Sequence, residues 1–151
     1  MVLSEKETLL LKDLMKAEEL CIQKYGNGVQ SAKDAALSRL CSEIEATEST
    51  HLQTLNEISA GNPPQMNNAG ASSKPAKPDP KPVSSGKAAP SAAFLCNDLL
   101  AAEKYASSLY DTSIFEFRDT AARNALNHIQ KEEQEHGKKL YDYMTAHAIY
   151  G

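Results

Sequence analysis

The sequence has no tryptophan, and aromatic residues make up only 6% of its 151 positions, so any core must be built mainly from aliphatic side chains. Proline is missing from long stretches at both ends: all seven prolines fall between Pro63 and Pro90. Because an internal proline removes a backbone donor and breaks a helix, the proline-free stretches are free to form long helices. The three cysteines, Cys21, Cys41 and Cys96, form no CxxC pair. An odd count without a pairing motif argues against a disulfide framework or a zinc knuckle and leaves small, buried, apolar thiols. Basic residues are not clustered, and 16 Lys and Arg stand against 20 Asp and Glu, so no electrostatic footprint for nucleic acid exists. No segment is long and apolar enough for a membrane span, and the opening MVLSEKETLL interrupts its apolar residues with charge at once. The expectation is a protein without a signal peptide, made and kept in a cytoplasm.

An apolar content of 41% suits one compact domain with a core. Residues 61–91, rich in Pro, Lys, Ser, Ala and Asn, read as a disordered or extended linker, either a plain solvated tether or one whose exposed Lys74, Lys77, Lys81 and Lys87 offer amines for partner contacts or cross-linking. The linker separates residues 1–60 from 92–151, and both flanking segments carry apolar residues at helical spacing. Shifted by 85 positions without a gap, one segment overlays the other. Leu14 falls on Leu99, Glu18 on Glu103, Tyr25 on Tyr110, Asp34 on Asp119, Glu48 on Glu133 and His51 on His136. Such an internal repeat governs how the fold is assembled. Asp34 and Asp119 precede fresh amphipathic runs and suit helix N-caps, which puts a turn near Lys33 and another near Arg118. Each half is then a helical hairpin, with Gly26 and Gly28 expected to fray the end of its first helix. Two hairpins joined by a long crossover predict an all-α, four-helix bundle, because a lone helical pair leaves its apolar face wet.

Helical phase gives each helix an inward stripe. The first carries Leu11, Leu14, Glu18, Cys21 and Tyr25; the second Leu37, Cys41, Ile44, Glu48, His51 and Leu55. The third carries Cys96, Leu99, Glu103, Ala106 and Tyr110; the fourth Leu126, Ile129, Glu133, His136, Leu140 and Tyr143. Four carboxylates and two imidazoles therefore occupy positions where a bundle wants leucine. Their heights agree as well, since the midpoint of 18 and 48 is 33 and that of 103 and 133 is 118, the two turns inferred from capping. Four buried carboxylates in one layer repel each other and resist desolvation unless neutralised. Two divalent ions would balance them, and a Glu from each of two helices plus Glu-x-x-His from each of the others is the ligand set of ferritin-like di-iron and di-manganese proteins. Mixed carboxylate and imidazole ligation suits two Fe or Mn ions. The other reading is a metal-free polar layer, with some Glu protonated or paired with Lys104 or Lys131. Tyr25 and Tyr110, two turns from Glu18 and Glu103, serve either as hydrogen-bond donors to the layer or as core aromatics. His128, Glu132 and Glu135 stand off the stripe and receive no role.

Residues 94–150, above all the strings CNDLL, AEKY and HIQKEEQEHG, resemble the Coat F family of spore coat proteins, and the first half is similar in pattern but weaker in wording. The resemblance implies a ferritin-like helical fold, synthesis in the mother cell and deposition in the spore coat, with other coat proteins or further copies of itself as partners. Likeness to ferritin-like di-iron proteins implies terminal or bridging carboxylate roles for Glu18, Glu48, Glu103 and Glu133 and imidazole ligation by His51 and His136. Two functions follow as expectations: a structural coat component, or a di-iron or di-manganese oxidoreductase that consumes peroxide or oxidises iron to protect the spore. The lack of a CxxC module departs from rubrerythrin-like electron-transfer enzymes.

Overall fold

The computed structural model describes residues 1–66 and 89–149, so most of the Pro-rich linker, including Lys74, Lys77, Lys81 and Lys87, lies outside the described residues. Four long helices make up the rest: α1 (Glu5–Ser31), α2 (Ala35–Ser59), α3 (Pro90–Glu116) and α4 (Thr120–Ala146). Asp34 caps α2 by accepting from the Ala36 N–H at 3.2 Å, and Asp119 caps α4 by accepting from the Ala122 N–H at 2.9 Å. Both turns thus fall where the capping pattern puts them. Helix α3 starts inside the segment assigned to the linker. Pro90 occupies its first turn, where the missing N–H is no loss.

Helix α1 opens on a reciprocal capping box. The Glu7 N–H donates to Ser4 Oγ and the Ser4 N–H to Glu7 Oε2, at 3.2 and 2.7 Å. The expected fraying at Gly26 and Gly28 does not occur, and α1 continues to Ser31. Gly28 lets α1 approach α2 closely: a Cβ there would sit 2.8 Å from Cys41 Sγ, whereas one at Gly26 would meet only the movable end of the Glu45 side chain, Oε1 at 2.9 Å. At Gly28 packing outweighs the ~1 kcal/mol propensity cost of a glycine.

The two hairpins pack into one bundle, with α1 against α3 and α2 more loosely against α4, while α1 and α4, like α2 and α3, lie on diagonals whose backbones make no close approach among the described residues. Contacts fix the directions. Tyr25 reaches Glu103 while Tyr110 reaches Glu18, and His51 meets Glu133 while His136 meets Glu48, so neighbouring helices run antiparallel. Diagonal α2 and α3 are then parallel, which is why the chain needs a long crossover between them.

Two apolar clusters fill the bundle's ends. Tyr25, Leu37, Cys41, Ile44, Cys96, Leu99, Leu140 and Met144 occupy the end at the α1–α2 turn. Leu11, Leu14, Leu55, Ile58, Tyr110, Phe117, Leu126 and Ile129 occupy the other. All three cysteines are buried and free, as their spacing predicts, and burial pushes the thiols of Cys41 and Cys96 up to about 11 and about 12. Each turn is clasped by the opposite hairpin. At one end Arg118 holds Glu7 with its backbone N–H at 3.0 Å and its guanidinium at 3.1 Å, and at the other Tyr143 donates to Asp34 at 2.7 Å. His147 caps α4, stacked on Tyr143.

Candidate metal centre

Between the apolar ends lies a single polar layer. Glu18, Glu48, His51, Glu103, Glu133 and His136 are all buried, none more than 3% exposed. All six residues on the predicted stripes therefore meet. Helical phase aims them inward, and the turns at 32–34 and 117–119 set their heights.

The six sort into two overlapping groups. Glu18, Glu48, His51 and Glu133 place one ligand atom each within 4.8 Å of one another, and so do Glu48, Glu103, Glu133 and His136. Glu48 and Glu133, which precede the two histidines by one turn on α2 and α4, belong to both groups. Glu18 with His51 and Glu103 with His136 each belong to one. This is the arrangement of two shared and two unshared carboxylates around adjacent positions.

Both imidazoles turn Nδ1 toward the layer. His51 Nδ1 lies 2.9 Å from Glu48 Oε2 and 3.2 Å from Glu133 Oε1, and His136 Nδ1 lies 3.3 Å from Glu48 Oε1 and 3.5 Å from Glu103 Oε1. Most of these approaches are misaligned for hydrogen bonding. Glu18 Oε2, Glu48 Oε1, Glu103 Oε2, both oxygens of Glu133 and His136 Nδ1 are buried without a hydrogen-bond partner. Leaving so many buried polar atoms unsatisfied in an otherwise closed core costs about 1–3 kcal/mol for each, more where charged. A cation among them would use those same lone pairs, so the donor set fits a dinuclear metal site.

The electrostatics point the same way. Burial pushes the Glu133 carboxyl up to about 9 and raises Glu48 too, against the pull of the nearby imidazoles. Burial opposes ionisation of Glu18 and Glu103 as well, but His51 beside Glu18 and His136 beside Glu103 hold them below the usual carboxylate range. Burial would strip the proton from His51 and His136; the surrounding carboxylates override it, raising His51 and holding His136 at about 11. Without metal, the layer thus approaches neutrality by retaining protons. Neither Lys104 nor Lys131, both exposed, forms an ion pair with it among the described residues.

The tyrosines act across the bundle. Tyr25 donates to Glu103 Oε1 at 2.5 Å and Tyr110 donates to Glu18 Oε1, so each hairpin completes the unshared carboxylate of the other. One residue that helical phase left without a role contacts a site residue. Glu132 Oε2 accepts from His51 Nε2 at 2.6 Å on the side away from the layer, and its other oxygen lies 3.3 Å from His128 Nε2. Such a partner fixes a ring's orientation and its tautomer. The repeat places Thr47 at the equivalent position, so His136 has no matching carboxylate.

Comparison with known proteins agrees with the fold. The Coat F domain model matches residues 91–150. A solved structure of a dodecameric thioferritin, the bacterioferritin-related protein from Bacteroides fragilis, superposes with a TM-score of 0.70 at 21% identity, covering 95% of this chain and 87% of that one. No curated protein matches. Among the described residues no helix is long and apolar enough to cross a membrane. The second half is thus similar to the Coat F domain, and the four helices have the ferritin-like fold.

Proposed function

We propose that this is a spore coat protein of the Coat F type whose bundle holds a dinuclear iron or manganese centre, with Glu48 and Glu133 shared between the ions. Glu18 and His51 complete one position; Glu103 and His136 complete the other. The observation that carries this reading is the convergence of buried, unpartnered carboxylate oxygens with an imidazole nitrogen in one layer. When bound, the ions would supply Lewis acidity and, for iron, one-electron chemistry at a paired site. The chain's own part is to hold the carboxylates apart, orient His51 through Glu132, and anchor Glu18 and Glu103 through the crossed tyrosines. A setting among other coat proteins, or further copies of this chain, is supported by the Coat F match and by large apolar side chains left in solvent, Phe94 at 76% and Phe115 at 88% exposure. Deposition from the mother-cell cytoplasm onto the spore belongs to the same proposal.

The second reading, an oxidoreductase that consumes peroxide or oxidises ferrous iron, is favoured by a cleft between α3 and α4 that reaches Glu103 and Glu133. The two readings part on turnover: peroxide or oxygen uptake by the loaded protein at more than one equivalent per centre selects the enzyme. Elemental analysis of protein purified without chelator tests the metal directly, with about two ions per chain expected. Metal at about 100 times its dissociation constant adds roughly 2.7 kcal/mol per position if it binds only the folded state. The gain disappears in Glu48→Leu with Glu133→Leu. If iron and manganese both leave the melting temperature of the unaltered protein unchanged, the layer is a structural polar network.

A further inference from the structure

The two halves share their ligands but not their walls. A cleft of about 630 Å³ runs between α3 and α4, lined among others by Leu100, Ser107 and Gly137, with Glu103 and Glu133 at its floor. Those two carboxylates are 2% and 1% exposed, and they carry three of the unpartnered oxygens, Glu103 Oε2 and both of Glu133. An offset of 85 converts the wall residues Ser107 and Gly137 into Ile22 and Leu52 of the first hairpin, and Leu100 into Met15. Ile22 and Leu52, both half-buried, therefore set branched side chains where the second hairpin has a hydroxymethyl group and no side chain at all, while Met15 and Leu100 are alike in bulk. Gly137 is not forced by crowding, since a Cβ there would meet only Leu100 Cδ1 at 3.8 Å. Its place within α4 costs about 1 kcal/mol relative to Ala without a packing return.

A second groove, between α2 and α4, also approaches the layer, lined by Thr47, Thr50, His51, His128 and Glu132 among others. It ends on the back of the His51 ring, whose Nε2 is taken by Glu132 at 2.6 Å. This groove exposes no layer carboxylate.

We propose that divalent cations enter and leave the centre through the α3–α4 cleft, over Ser107 and Gly137, making the position of Glu103 and His136 the exchangeable one. The position of Glu18 and His51 is the retained one, walled by Ile22 and Leu52 and braced by Glu132. This rests on the dinuclear reading above, and it adds an order of loading that a symmetric repeat would not have.

Cobalt(II), whose visible absorption reports its ligation, serves as the probe on the full chain. Mixed with excess EDTA, the two-cobalt protein is expected to release metal in two phases of equal amplitude, differing at least tenfold in rate. Gly137→Leu with Ser107→Ile, which gives the second hairpin the walls of the first, slows the fast phase at least tenfold while the stoichiometry stays at two. Leu52→Gly with Ile22→Ser opens the first hairpin and speeds the slow phase toward the fast one; it decides the matter if the filled variant fails to fold. Release of both ions in one phase from the unaltered protein overturns the inference, as does a fast phase that filling leaves unchanged. Failure to bind two cobalt ions at all sinks the dinuclear reading itself.

Discussion

The polar layer and the apolar ends of this bundle are built on the same four helices, yet their energetics oppose each other. At the ends, side chains such as Leu14, Leu126 and Phe117 are fully enclosed and stabilise the fold by leaving water. In the layer, Glu48 and Glu133 are enclosed just as completely but oppose folding unless a proton or a cation neutralises them. The same degree of burial thus adds to stability in one region and subtracts from it in the other. Chemistry, not depth, tells them apart.

The largest effect that tests this contrast belongs to an end. Phe117→Ala, which empties a buried ring in the α3–α4 turn, is expected to cost about 3–5 kcal/mol in chemical denaturation. A cost below about 1 kcal/mol would show that this end is loosely packed. In the layer, the sign reverses. Metal-free Glu48→Leu with Glu133→Leu is expected to be as stable to chemical denaturation as the unaltered protein or more so, by about 1–4 kcal/mol at most, because buried charge gives way to apolar volume. Collapse of that variant would mean that the layer holds the bundle together by itself.

Glu7 sharpens the comparison, being a buried carboxylate with its partners in place. Burial works against its charge, but the backbone N–H groups of Arg118 and Ser4 and the Arg118 guanidinium outweigh it and hold the carboxyl at about 2. A depressed carboxylate contributes stability that is complete above its unfolded value of 4.5 and disappears as pH falls toward about 2. Glu7→Gln is therefore expected to cost about 2 kcal/mol at neutral pH, less than the shift alone would give because the Arg118 side chain is 71% exposed. The difference from the unaltered protein should shrink between pH 4.5 and 2; a gap constant across that range would assign the loss to packing. The smallest effect concerns the crossed tyrosines. Tyr25→Phe and Tyr110→Phe are each expected to cost about 1 kcal/mol, and equally, since each removes one hydrogen bond to an unshared carboxylate. Unequal losses in thermal melts would show that the two positions are already inequivalent without metal.

The layer was legible in the sequence because three independent regularities agree on it: the 85-residue repeat, the helical phase of Glu18, Glu48, Glu103 and Glu133, and turns capped by Asp34 and Asp119. Each of these is local or periodic, so a one-dimensional pattern records it. What stayed hidden depends on distances between helices. Glu132 is one residue from Glu133 and points off the stripe; only the spacing of α2 and α4 brings it to His51. The glycines of α1 suggested a frayed end because propensity is read along the chain, whereas the close pass of Cys41 against Gly28 belongs to the packed hairpin. Ser4-x-x-Glu7 is a recognisable capping pattern, but nothing in it announces that Glu7 also grips Arg118 across the bundle.

The crossed hydrogen bonds of Tyr25 and Tyr110 bear on how such a chain diverges. Two separate copies of one hairpin could make the same exchange of hydroxyls, but every substitution would then appear twice, once on each side of the twofold axis. Joining the copies in one chain lifts that constraint. The layer residues, whose loss would leave buried charge unpaired, are held alike in both halves, while Thr47 and Glu132, or Leu52 and Gly137, part company. A fused pair can specialise its two sides, one to hold and one to exchange, where a symmetric dimer must give both the same character.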